Sequence, residues 1–100
     1  MATVTLAPMH PGEVLREEFM VPLNLTSYSL GKRLGIDRQR IERIIKEKAS
    51  MTPDTAIRLA KAFSVTAEFW MNLQARYDLL TTSERLKPQI EHIKPYQLAG

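Results

Sequence analysis

Four side chains in one short stretch, Arg38, Gln39, Arg40 and Arg43, set the chemistry open to this chain. A guanidinium offers paired N–H donors that match guanine O6 and N7. A carboxamide bonds adenine N6 and N7 in the same two-point way, and each such pair discriminates its base by about 1–3 kcal/mol. Lys32, Lys46 and Lys48, with Thr26 and Ser27, are donors of the kind that grip phosphate oxygens and set register without reading sequence. The first group is therefore expected at base edges of duplex DNA and the second at its phosphates. No competing chemistry is assembled. His10 and His92 lie at opposite ends, His10 as an expected helix start and His92 in a solvated tail. The chain has no cysteine, HExxH, nucleophile elbow or glycine-rich phosphate loop, and Glu17 and Glu18 diverge by about 100° on a helix. No catalytic residue, metal ligand or cofactor is expected, and an enzyme is not.

Presenting such a row requires a helix with a buried back. From Arg38 to Lys46, Ile41, Ile44 and Ile45 recur at i, i+3 and i+4 and share one side. Gln39, Arg43 and Lys46 point the opposite way, with Arg40 and Glu42 on the flanks. Asp37 is placed to cap this helix. Upstream, Thr26 can cap a helix with Leu30 and Leu34 on one stripe, Gly35 suits a left-handed C′ position, and Ile36 can plug the turn. Helix, short turn with glycine, helix is the spacing of a helix-turn-helix, with the recognition helix beginning at Arg38. The charge agrees. Net charge is +3, and Lys32 to Lys48 carries seven basic residues against three acids, whereas the chain before it has Arg16 against Glu13, Glu17 and Glu18. A basic helix alone is usually a solvated face. Coincidence with the turn makes it the footprint of a phosphate backbone.

One hundred residues suit a single domain. Residues 1–9 read as a loose arm, 10–82 as the helix-turn-helix domain and 83–100 as a variable C-terminal tail. A first helix starts near His10 and Pro11, turns Val14, Leu15 and Phe19 inward and Arg16, Glu17 and Glu18 outward, and stops at Pro22. Thr52-Pro53-Asp54 opens a helix that should bury Ala56, Ile57, Leu59, Ala60 and Phe63 and leave Arg58 and Lys61 outside. Thr66 caps a last long helix to about Leu80, interrupted by Thr81 to Ser83, with a short tail helix turning Ile90 and Ile93 inward. Phe69, Trp70, Leu73, Tyr77 and Leu80 offer more apolar surface than so small a core needs, and are expected to form a homodimer interface, with burial in the subunit's own core as the equal alternative. The predicted fold is all-α, five helices around one core. The N-terminus lacks the basic and apolar regions of a signal peptide, and no apolar run reaches the roughly 18 residues of a membrane span. A soluble, cytoplasmic protein with no membrane partner is expected.

HPGEVLREEFMVPL, TSYSLGKRLGIDRQRIERII, TPDTAIRLAKAF and TAEFWMNLQARYDL together resemble the HigA antitoxins of the xenobiotic-response-element (XRE) type of helix-turn-helix proteins. The resemblance spans His10 to about Leu80 and is most specific at its two ends. It implies a lambda-repressor-like fold and a homodimer that binds its own double-stranded operator DNA. It also implies neutralisation of a HigB-like toxin, an mRNA-cleaving ribonuclease of the RelE type; the alternative is a stand-alone XRE-type regulator without a toxin. The acidic residues Glu13, Glu17 and Glu18 and the arm are candidate contacts for such a basic partner, although a solvated helix face is the commoner reading of such acids. Two departures stand out. Gly31 replaces the family's usual alanine, and Glu47-Lys48 replaces its glycine-containing turn after the recognition helix.

Overall fold

Each helix begins where a side chain can take up an unpaired backbone N–H. In the computed structural model, which describes residues 8–98, there are five α-helices: α1 (Pro11–Val14), α2 (Ser27–Leu34), α3 (Arg38–Ile45), α4 (Pro53–Phe63) and α5 (Ala67–Ile90). No strand occurs among the described residues, so the all-α, five-helix repressor-like fold is the one expected. His10 Nδ1 accepts from Gly12 N–H at 2.9 Å, Asp37 Oδ1 from Gln39 N–H at 2.8 Å, and Thr66 Oγ1 from Phe69 N–H at 3.0 Å. Thr26 and Ser29 form a reciprocal capping box, both bonds 3.0 Å.

The ends of α2, α3 and α4 share one device. Gly35, Glu47 and Ser64 all adopt left-handed backbone, at φ 74°, 61° and 56°. The next residue then reaches back five positions, Ile36 to the Gly31 carbonyl, Lys48 to that of Arg43 and Val65 to that of Ala60. These are Schellman-type ends. Thus Glu47, standing where a glycine is usual, still ends α3 cleanly, at a steric cost of about 1–2 kcal/mol. Gly31 has a local reason too. A Cβ there would lie 2.8 Å from the Ile36 carbonyl oxygen, so glycine lets the turn close more tightly onto α2.

Leu15, Leu30, Ile41, Ile44, Met51, Leu59 and Trp70 are fully buried at the centre. Phe19 packs on Phe63 and Trp70, with ring centroids 4.8 and 5.1 Å apart, which seats α4 and α5 against the segment after α1. That segment, Leu15–Met20, winds as a π-helix, a feature no pattern in the sequence announces.

Four expectations are corrected. Ile57 is 61 % exposed: the core line of α4 runs through Thr55, Ala56 and Leu59, and one further residue turns the side chain away. Arg16 does not look outward, because its guanidinium donates to the Ile45 carbonyl at the end of α3. Thr81 to Ser83 do not interrupt α5. The Thr81 hydroxyl donates to the Tyr77 carbonyl at 2.8 Å, one helical turn back, so the hydroxyl is satisfied inside the helix rather than by breaking it. Pro88 is accommodated in the last turn, and Ile90 and Ile93 are exposed rather than inward. Residues 1–7 of the expected arm lie outside the described residues.

His10 is 4 % exposed and edge-on to Tyr77, ring centroids 4.9 Å apart. Burial pulls its pKa below the usual value, against smaller opposing pulls from Glu47 and Asp78. Its cap needs Nδ1 unprotonated. The folded state therefore favours the neutral ring, and the stability this confers is complete above the unfolded pKa of about 6.5 and lost as pH falls below it. We predict that the urea midpoint falls between pH 7 and pH 5, and that His10→Asn, which caps without titrating, flattens that segment of the profile; an unchanged slope in His10→Asn contradicts this.

Candidate nucleic-acid interface

The rotation of α3 about its own axis is decided by its isoleucines. Ile41 and Ile44 are 0 % and 1 % exposed, and Ile45 is half-buried. A fully buried Ile contributes about 1.5–3 kcal/mol, whereas an exposed ion pair is worth about 1 or less, so burial wins over any arrangement of the charges. Gln39, Arg43 and Lys46 are consequently left exposed on the opposite side, and Arg38, three residues before Ile41, is exposed at the start of the helix. Lys32 and Lys48 are exposed on α2 and just beyond α3.

Two expected contacts sit differently. Arg40 is exposed but turned toward α4, its Nη1 2.9 Å from Asp54 Oδ1. The same oxygen accepts from Arg58 Nε at 2.8 Å, and Arg58 Nη1 donates to the Leu34 carbonyl at 2.8 Å. Arg58 and Arg40 together hold the Asp54 carboxyl below its usual pKa. Thr26 has its hydroxyl committed to the capping box with Ser29, so at the start of α2 the half-buried Ser27 is the hydroxyl outside that box. Tyr28, which the sequence did not single out, lines the same opening as Lys32 and Arg38, with Lys32 Nζ 5.9 Å from its ring centre. Its spacing four residues before Lys32 was the available signal.

The back of α3 is clamped by α1. A Cβ on Gly12 would fall 1.8 Å from the Ile44 carbonyl oxygen, so only a bare Cα permits the approach. Arg16 closes the same end through the Ile45 carbonyl. The loop after α3 is held from α5, where buried Gln74 accepts from Met51 N–H at 2.6 Å and donates to Asp78 at 2.9 Å. Arg16 and Gln74 were invisible as positioning residues because their partners lie 29 and 23 positions away.

Among the expected dimer residues, Trp70 is corrected. It is 0 % exposed and packs against Phe19 and Phe69 inside its own subunit, so it has no surface to give a partner. Phe69 and Leu80 are 36 % and 38 % exposed, Leu73 is half-buried, and Tyr77 is half-buried against His10. No helix among the described residues is long and apolar enough to cross a membrane.

A helix-turn-helix family model matches residues 15–70. The chain belongs to the HigA-type helix-turn-helix family. A solved structure described as Pseudomonas aeruginosa antitoxin HigA with higBA promoter is 38 % identical, with a TM-score of 0.86 over 90 % of this chain and 99 % of that one. Virulence-associated protein I of Dichelobacter nodosus is 41 % identical over 87 % of this chain and 80 % of its own length. An HTH-type transcriptional regulator of Haemophilus influenzae is 37 % identical over 92 % and 88 %. The HigA-type family is one of DNA-binding regulators and antitoxins rather than an enzyme class.

Gly12→Ala is the sharpest test of the clamp. It should lower stability by about 1–3 kcal/mol, the usual cost of overpacking, measured by urea unfolding, and shift the amide resonances of Ile44 to Lys48. A variant as stable as the parent with α3 resonances unmoved contradicts the contact.

Proposed function

We propose that this HigA-type chain binds the operator of its own gene as a homodimer and neutralises an mRNA-cleaving toxin. The observation that carries the DNA reading is the exposed row Arg38, Gln39 and Arg43 on a helix whose isoleucines fix its rotation. In this reading the amino-terminal part of α3 enters the major groove, and Arg38, Gln39 and Arg43 meet base edges. Lys32, Lys46, Lys48 and Ser27 hold phosphates on either side. Arg40 joins the bases only after leaving Asp54. The promoter complex of the P. aeruginosa antitoxin supports DNA as the ligand.

The dimer is assigned to the exposed Phe69 and Leu80 of α5 with the half-buried Leu73 on the same stripe, spaced i, i+4 and i+11 in the order Phe69, Leu73, Leu80. A two-fold axis there would bury those side chains and place two recognition helices about 34 Å apart, one turn of DNA. The toxin surface is assigned to the exposed acids Glu17 and Glu18, which complement a basic ribonuclease.

In gel shifts on the DNA upstream of its own gene, Arg43→Ala should lose about 5- to 150-fold on the specific site while leaving random DNA bound as before. Lys46→Ala should weaken both and flatten the salt slope by about 0.9. Parent-like binding by both variants contradicts the interface. Sedimentation should give a dimer at micromolar concentration, gaining mass when the product of the adjacent gene is added. A monomer contradicts the α5 interface, and a dimer that gains no mass contradicts the toxin assignment.

A further inference from the structure

We infer that Asp54 is a specificity-determining residue, a carboxylate that withholds Arg40 from the DNA backbone and releases it only to a matching base. The inference rests on the DNA-binding reading above. Arg40 is the third residue of α3, on the flank nearest α4, and its Nη1 lies 2.9 Å from Asp54 Oδ1. The second cation at that oxygen, Arg58, is anchored at two points, by Nε to Asp54 and by Nη1 to the Leu34 carbonyl. Arg58 thus braces the carboxylate while joining α4 to the end of α2. Arg40 is the movable member, held through one hydrogen bond.

The pair stands at the rim of the basic surface, beside an opening bounded by Arg40, Ile44, Ala49, Ser50 and Thr52. Both side chains are about half exposed, 45 % for Arg40 and 57 % for Asp54. At that exposure the ion pair is weak enough to exchange. A two-point contact with guanine outbids it, while a single screened phosphate contact does not. On random DNA, Arg40 therefore stays with Asp54. On a matching site, Arg40 leaves. Asp54 lowers binding everywhere but lowers it more on the wrong sequence.

Fluorescence anisotropy with two labelled duplexes of equal length, the region upstream of the gene and a random sequence, tests this across a salt series. Asp54→Asn should tighten the random duplex about two- to fivefold and steepen its log–log salt slope by about 0.9, one additional phosphate contact. The upstream duplex should gain less, so the specificity ratio falls. In an Arg40→Ala background the same substitution should change neither slope nor ratio. Thermal melts confirm that each variant is folded. Unchanged slope and ratio in Asp54→Asn, or the same change with Arg40 absent, overturns the inference while leaving the DNA-binding reading intact. A parent protein that binds neither duplex overturns the reading and the inference together.

Discussion

The backbone of α1 touches the backbone of α3 at Gly12, and the rest of the arrangement depends on that contact. It brings the first helix against the carbonyl of Ile44, where any side chain at position 12 would collide. Arg16 then occupies the next carbonyl, Ile45, with a positive group at the negative end of the recognition helix. Two constraints therefore act on α3 independently. Its isoleucines fix rotation about the helix axis, and the clamp at its carboxyl end fixes its tilt and depth. A row of guanidinium and amide groups on such a helix has one direction left to face.

The remaining polar bonds within the domain extend the same support. Gln74 ties the loop after α3 to α5, and Arg58 ties α4 to the last carbonyl of α2. His10 caps α1 from beneath Tyr77, so the clamp is itself held by α5. This accounts for the specificity of the sequence ends. In HPGE, histidine caps, proline starts the helix, glycine permits the close approach and glutamate faces the positive helix end. In EFWMNLQ, tryptophan fills the core and glutamine holds the loop. Both motifs serve the recognition helix from a distance.

Local rules made much of this legible. The caps Thr26, Asp37, Thr52 and Thr66 and the left-handed Gly35 stand where the sequence places them, because each bond spans only a few residues. The inward isoleucines of α3 follow from periodicity alone. What escaped was nonlocal or depended on fine angle. Arg16 reads as a surface charge until α3 is beside it, and Ile57 reads as core until the line of α4 is known. Trp70 reads equally well as core or interface until Phe19 and Phe69 enclose it. Thr81 to Ser83 look like a break because hydroxyl residues compete for backbone bonds; here the competition is resolved within the helix.

Backbone amide shifts of the labelled protein, titrated with a duplex from upstream of its own gene, test the account most directly. The account predicts that the largest changes fall on Asp37 to Arg43, with smaller ones at Ser27, Lys32 and Lys46 to Lys48. Changes concentrated on α1 or the exposed side of α5, with α3 unmoved at saturation, would contradict it.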